Sequence, residues 1–385
     1  MHILHISNSY GGTKVYENLY TQLDRLGVRQ TVFVPLNAAN RSRVGNQMID
    51  FQTSGSKIIY STVLKPIHRI LYMAKINAIV KDLRANVDLK KIDAIHASTL
   101  CLDGAVAYRL HQETGLPYIA AIRNTDVNNY YKVFRWRKGF FSKILKAASK
   151  IVFISPKYKE NFLGEIIPTS VSQEIEPRVM VIPNGVSEVF LANRSTEYKT
   201  FDGVLNLIFV AAFYKGKGLV ETIKAIELLR NKGYKVTLNA IGKGLPNRPH
   251  DAEYEAQVDG LTQGKEWVKT QTFKKPEELI AEMRQADAFI MVSKPETFGL
   301  VYVEALSQHL PIIYAQGQGF DGYYPDGYVG YPAEAGNVVD IADKIEQLIK
   351  NYDAIAGNVE ALDLEKDFDW SNIGKKYLSI YNALT

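Results

Sequence analysis

The sequence predicts an α/β fold of two doubly wound domains, each a parallel sheet with helices on both faces. Three observations predict it. The 385 residues exceed one typical hydrophobic core, so two domains are expected. Short apolar runs alternate with longer amphipathic ones, the pattern of parallel strands joined by helical crossovers. That alternation pauses at Val179-Met180-Val181-Ile182-Pro183-Asn184-Gly185-Val186 and the polar residues 193–202, then starts again. The expected division is therefore 1–192 and 193–369, followed by a final helix.

In the first half, residues 3–7 are the opening strand. Residues 14–26 are a helix with Val15, Leu19, Leu23 and Leu26 as its apolar positions. Strands follow at 31–35, 94–96, 116–122 and 150–155. In the second half, strands are expected at 206–211, 235–241, 267–273, 288–292 and 310–314. Helices are expected at 219–230, 276–286 and 338–352, and another near 252–261 within the polar segment 246–264. Leu300 to Gln308 contains no breaker and reads as a helix. The tail from Asp369 to Tyr381 reads as a capped helix with Ile373, Tyr377 and Ile380 on one face. No solenoid-period repeat and no low-complexity segment interrupts this order.

Composition is ordinary for a globular chain, 46% hydrophobic and 23% charged. The single cysteine, Cys101, excludes a disulfide framework and fits a reducing compartment. The opening Met1-His2-Ile3-Leu4-His5-Ile6-Ser7 has no charged leader and reads as a strand rather than a signal peptide. No apolar run approaches the roughly 18 residues of a spanning helix. A cytoplasmic location is expected. The net charge of +5 is local. Between Val127 and Lys159 there is no Asp or Glu, while Lys132, Arg135, Arg137, Lys138, Lys143, Lys146, Lys150, Lys157 and Lys159 crowd the window. The remainder of the chain is net acidic. A specific anionic partner surface is therefore expected, not general nucleic-acid affinity. Tyr130, Tyr131, Phe134, Trp136, Phe140 and Phe141 interleave those cations, which suits an anionic membrane interface. Residues 61–84, with Lys65, Arg69, Lys75, Lys81 and Arg84, can add to that face. A packed helix with a basic outer side explains the same pattern. On the membrane reading a lipid-linked sugar is a natural acceptor; otherwise an anionic polymer is.

The chemistry concentrates in Ser293-Lys294-Pro295-Glu296-Thr297-Phe298-Gly299-Leu300-Val301-Tyr302-Val303-Glu304. The run Ala288-Phe289-Ile290-Met291-Val292 before it is a buried strand, and a helix begins at Phe298-Gly299-Leu300. A helix N-terminus has unpaired N–H groups and a positive dipole end, so it holds anions. Glu296 precedes that site and Glu304 lies about one turn inside the helix. A diphosphate flanked by two hydroxyl-bearing groups suits this arrangement, and a nucleotide sugar is such a ligand.

Four features in order resemble retaining glycosyltransferases of family 4. They are Tyr10-Gly11-Gly12 before the first helix, Ile182-Pro183-Asn184-Gly185-Val186, Lys217-Gly218 opening a helix, and the Glu-x7-Glu segment with its Phe-Gly-Leu. The resemblance runs nearly end to end. It implies the GT-B fold of two Rossmann-like domains facing a central cleft, the first acceptor-side, the second nucleotide-sugar-binding. It also implies that the final helix, 370–385, packs back on the first domain. It implies transfer of a hexose or N-acetylhexosamine, UDP-linked by family frequency, to a hydroxyl of a glycan or lipid-linked acceptor, with retention. Glu296 would contact the donor sugar and Glu304 the two ribose hydroxyls. Lys217, with Lys215 and the glycines around it, would neutralise the diphosphate. The family commonly has Gly-Arg where this chain has Ala211-Ala212, so a phosphate arginine is missing. Many relatives have a histidine where Arg123 stands; an arginine can bind a phosphate or a charged sugar instead. Asp126 would bind acceptor hydroxyls or close a turn. Gly12, with Gly11, would let the backbone approach the ligand.

Gly242-Lys243-Gly244 does not complete a dinucleotide fingerprint, because Asn247 stands where the third glycine belongs. Gly242, Thr272 and Phe273 are expected to line the nucleotide-base pocket, and Phe298, Gly299 and Leu300 to meet the diphosphate. Glycines in Gly317-Gln318-Gly319-Phe320-Asp321-Gly322 can wrap the donor. No histidine pair has metal-ligand spacing, and Asp367-Phe368-Asp369 lies beside the tail helix, so no metal and no cofactor are expected. A nucleotide-sugar epimerase and a non-catalytic nucleotide-sugar or glycan binding protein remain as alternatives. The first needs no acceptor; the second is indifferent to loss of Glu296.

Overall fold

The computed structural model describes residues 1–197, 199–244 and 251–385. Asn247 and the start of the polar segment lie outside the described residues; the helix expected after them is Ala252–Thr262. The chain divides into two compact units. Unit 1 is Met1–Ile154, Tyr158–Gly185 and Trp370–Thr385; unit 2 is Ser155–Lys157 and Val186–Asp369.

Unit 1 is built on seven strands: β1 His2–Ile6, β2 Arg29–Pro35, β3 Lys57–Ser61, β4 Ala94–Ala97, β5 Tyr118–Ile122, β6 Lys150–Phe153 and β7 Val179–Val181. Their order is β3-β2-β1-β4-β5-β6-β7, with every pairing parallel. Strands buried on both faces need apolar side chains on both, and the alternate residues of β1 enter different cores. Leu4 and Ile6 join a core with Ile76, Ile79 and Phe141, while Ile3 joins one with Leu19, Tyr20 and Leu23. The final helix, Trp370–Asn382, belongs to the second core through Trp370, Ile373, Tyr377, Ile380 and Tyr381. Gly374 makes its approach possible, because a Cβ there would stand 3.0 Å from Gln22 Cβ on the helix Lys14–Arg25.

Unit 2 holds β8 Val204–Val210, β9 Lys235–Lys243, β10 Val268–Thr272, β11 Ala288–Met291, β12 Ile312–Ala315 and β13 Gly330–Ala333. Their order is β10-β9-β8-β11-β12-β13, again all parallel. The expected boundary after residue 192 moves to Gly185/Val186. The reason is the short helix Glu188–Ala192, whose Phe190 and Leu191 are buried and which packs against unit 2 helices. Three strands escaped the sequence reading, β3, β7 and β13, all at sheet edges. The helix expected over 338–352 ends at Lys350, and a second one spans Tyr352–Glu360.

Candidate active site

In unit 2 the sheet order reverses between neighbours β8 and β11. Loops leaving the carboxyl ends of such a pair diverge, which is where doubly wound sheets bind ligands. The loop after β8 carries Lys217 and the loop after β11 carries Glu296. Glycines lock these loops together. Lys294 N–H donates to the Gly216 carbonyl at 2.7 Å. Gly216 has φ +97°, and a Cβ there would come within 2.8 Å of the Lys294 carbonyl oxygen. Gly218 has φ +81°, and its Cβ would strike the Val292 carbonyl.

Lys217 Nζ consequently stands 2.8 Å from Glu296 Oε2, the two side chains 17% and 13% exposed. The Ser293 hydroxyl donates to the same oxygen at 3.1 Å, and the Thr297 N–H donates to Oε1 at 3.0 Å. The backbone of Glu296 is held as well: its N–H donates to Gln318 Oε1 at 3.0 Å, and its carbonyl accepts from Gly319 N–H at 3.1 Å. Gly299, at φ +78°, turns the chain into the helix Leu300–Ser307. Half-buried Glu304 lies on that helix, and its carboxylate has no partner among the described residues. Burial pushes its pKa up to about 7. A desolvated acceptor without a donor is costly in an empty protein and useful to a ligand with hydroxyls.

Thr272 pairs with Lys243 in the β10–β9 register, so Gly242, Thr272 and Phe273 gather at one sheet corner. Gly242, at φ +128°, has a structural duty too: a Cβ would collide with the Ala211 carbonyl. The Phe273 ring is 50% exposed.

In unit 1 the order reverses between β1 and β4. Asn8, after β1, donates its side-chain amide to buried Asp103 at 3.0 Å, and the Thr99 hydroxyl donates to the other oxygen at 3.0 Å. Burial raises Asp103 to about 7 despite those bonds. Arg43 covers the Gly11–Gly12 turn; a Cβ on Gly12 would stand 2.9 Å from its guanidinium Nη1. Arg123, after β5, donates to the Ser98 carbonyl at 3.4 Å and to Asn184 Oδ1 at 3.3 Å. It also bonds Tyr377 of the final helix and lies 5.9 Å from the Tyr16 ring centroid.

Two family models match the chain, "Glycosyltransferase Family 4" over residues 10–189 and "Glycosyl transferases group 1" over residues 195–364. The chain is a glycosyltransferase, its first half matching family 4 and its second half group 1. An uncharacterized glycosyltransferase of Methanocaldococcus jannaschii is 26% identical over 325 residues, covering 84% of this chain and 83% of that protein. Among solved structures, sucrose-phosphate synthase of Thermosynechococcus elongatus matches with TM-score 0.73 at 18% identity, covering 100% of this chain and 99% of that one. The Anabaena protein HepE, solved in complex with UDP-glucose, matches with TM-score 0.67 at 18% identity and full coverage of both chains. At such identities the likeness is one of fold, and the fold is GT-B.

In this glycosyltransferase the structure brings Lys217, Glu296, Gly299, Leu300 and Glu304 to one strand–loop–helix corner. Lys215 stands apart: it is exposed, and its ammonium has no partner among the described residues. The Phe298 side chain is a core residue, 2% exposed, its ring centroid 5.7 Å from Tyr323 and 6.1 Å from Phe368; the backbone, by which the sequence reading engaged it, remains for a ligand. Asp126 is corrected to a positioning residue. It is fully buried, and its oxygens accept the N–H groups of Leu100, Cys101 and Arg123 at 3.1, 2.7 and 2.9 Å. No oxygen is left facing an acceptor. Asp321 closes its own turn by accepting Gly317 N–H at 2.7 Å. Sequence reasoning missed the supports Ser293 and Gln318, which stand in segments it singled out, and Arg43, Asn8 and Asp103, which no local pattern marks.

Proposed function

We propose that this glycosyltransferase moves a hexosyl or N-acetylhexosaminyl group from a UDP-linked sugar to a hydroxyl of a glycan or lipid-linked acceptor. Configuration at the anomeric carbon is retained, and no divalent metal takes part. One observation carries the reading: the Lys217–Glu296 pair stands at the helix start that also bears Glu304, whose carboxylate has no partner among the described residues. The diphosphate lies at that helix start, where backbone N–H groups and the dipole favour negative charge. Lys217 meets the charge that develops as the diphosphate leaves, so it acts mainly in the transition state. Glu296, oriented by Ser293 and Thr297, accepts hydrogen bonds from the donor sugar. Glu304 accepts from the ribose diol, which supplies the donors it lacks. The bond from the anomeric carbon to phosphate oxygen breaks, the bond to the acceptor oxygen forms on the same face, and the acceptor proton passes to the departing phosphate. Lys217 and the helix end carry the charge otherwise given to a metal ion. The UDP assignment draws support from the UDP-glucose complex of the structural neighbour.

Unit 1 serves the acceptor, with Arg123 and the Gly11–Gly12 turn at the carboxyl ends of its strands. On this reading the enzyme works at the cytoplasmic membrane face, held there through the basic aromatic window 127–159. A panel of nucleotide sugars, read by nucleotide release with and without lipid extract, tests the proposal. Acceptor-dependent release of UDP is expected, and Glu296→Ala should abolish it. Conversion of the nucleotide sugar without acceptor would instead indicate an epimerase.

A further inference from the structure

Among the large apolar side chains of unit 1 that face solvent are Ile67, Ile70, Leu71, Val133 and Trp136, at 50%, 75%, 49%, 59% and 73% exposure. They come from two segments distant in sequence, and one aromatic hub joins them. Tyr72, next to Leu71, is buried, and its ring centroid lies 6.1 Å from Tyr130 and 5.8 Å from Phe134. Phe134 meets Trp136 edge-on at 5.6 Å, and the Arg137 guanidinium sits 4.8 Å over Tyr72. The turn Pro66–Arg69 and the turn Arg135–Arg137 are thereby carried to one surface.

The two segments carry charge of one sign. Neither residues 51–81 nor residues 127–159 contain an Asp or Glu. Lys65, Arg69, Lys132, Arg135 and Lys138 are exposed there, and none forms an ion pair among the described residues. Burying four aliphatic side chains and an indole requires an apolar phase, and unpaired cations require anions beside it. Anionic headgroups over acyl chains supply both in one layer. A soluble polyanion supplies only the second.

We propose that this composite patch docks the enzyme on an anionic lipid bilayer, with Ile67, Ile70, Leu71, Val133 and Trp136 entering the headgroup boundary and the five cations meeting lipid phosphates. The inference deepens the membrane part of the reading above and is independent of the donor chemistry. It also moves the contact. Within the window 127–159, Phe141, Ile144 and Leu145 are buried in the core, so the helix Lys138–Ala147 is not the inserting element. Its leading turn and the 65–71 segment are.

The test is co-sedimentation of the full chain with phosphatidylcholine vesicles, with and without phosphatidylglycerol, in the absence of donor. Binding is expected only with phosphatidylglycerol, and it should weaken as salt rises. Arg69→Gln and Arg135→Gln should each lower affinity about fivefold. Trp136→Ala should lower it about tenfold. All three side chains are solvent-facing, so unchanged melting and unchanged turnover of a water-soluble acceptor are expected in each variant. Lys235→Glu, exposed on unit 2, should bind as the parent does. Equal binding to both vesicle types, wild-type affinity in Trp136→Ala, or retention by dextran sulfate without vesicle binding would overturn the proposal. Loss of vesicle binding with intact acceptor-dependent UDP release would separate its failure from that of the transferase reading.

Discussion

Glu304 shows how a buried carboxylate with no donor among the described residues weakens the protein that carries it. Burial raises its pKa from 4.5 to about 7. Between those values the folded chain keeps a proton that the unfolded chain has released. Stability therefore falls as pH rises through that window, and the penalty is complete above it. Glu304→Gln removes the ionisation and keeps the shape. The variant should melt higher than the parent at about pH 8 and equally at about pH 4, by calorimetry. It should also raise the donor KM, because an amide offers one acceptor oxygen where the ribose diol needs two. For the parent, donor affinity should rise with pH through about 7, since binding favours the ionised form. Lys217 is a different case, acting on charge that appears during reaction. Lys217→Ala should lower kcat by about 10²–10³-fold, the scale of losing one preorganised charge-stabilising group. Glu296 and Glu304 were legible because they share one contiguous segment, and Lys217 because Lys217-Gly218 opens a helix after a strand. Asp103 was not: its partner Asn8 is 95 positions away, so only the β1–β4 pairing brings them together.

At the level of elements, the same contrast separates what periodicity reveals from what geometry adds. The strands flanking the motif announce themselves as apolar runs. β13 does not, because Gly330 and Pro332 read as breakers; an edge strand tolerates proline, whose missing N–H faces no neighbour. β3 is likewise an edge strand, only partly buried, and its sequence lacks an apolar run long enough to stand out. Glycines in the loops after β8 and β11 were visible as letters, but their reason is tertiary. Gly218 holds a left-handed backbone and leaves no room for a Cβ beside the Val292 carbonyl. Gly218→Ala should cost about 1–3 kcal/mol of stability in denaturant unfolding and displace Lys217 from Glu296. Activity should fall further than the stability loss explains, and Gly233→Ala makes the control. Gly233 has φ +94° with open space around it, so it shares the backbone strain without the collision.

At the scale of the whole molecule, the division into two units makes the donor assignment separable from everything else. All the residues assigned to the diphosphate, sugar and ribose belong to unit 2, while the chain's return through Trp370–Asn382 completes a core of unit 1. UDP should therefore act on the melting of unit 2. At a hundredfold excess over its Kd it should add about 2.7 kcal/mol, a rise of about 5–10 °C for a unit of this size. The three tryptophans permit the measurement. Trp136 is solvent-facing and reports the surface patch; Trp370 is buried in unit 1; Trp267 belongs to unit 2, with Arg230 and Lys265 each 5.4 Å from its ring centroid. In a Trp136→Phe background, the Trp267 transition should shift with UDP, and the shift should persist in EDTA if no metal bridges the diphosphate. Lys217→Ala should reduce it, because free UDP carries the leaving-group charge that Lys217 is proposed to meet. A full shift in Lys217→Ala would move the donor site away from the β8–β11 corner, whichever tryptophan reports it.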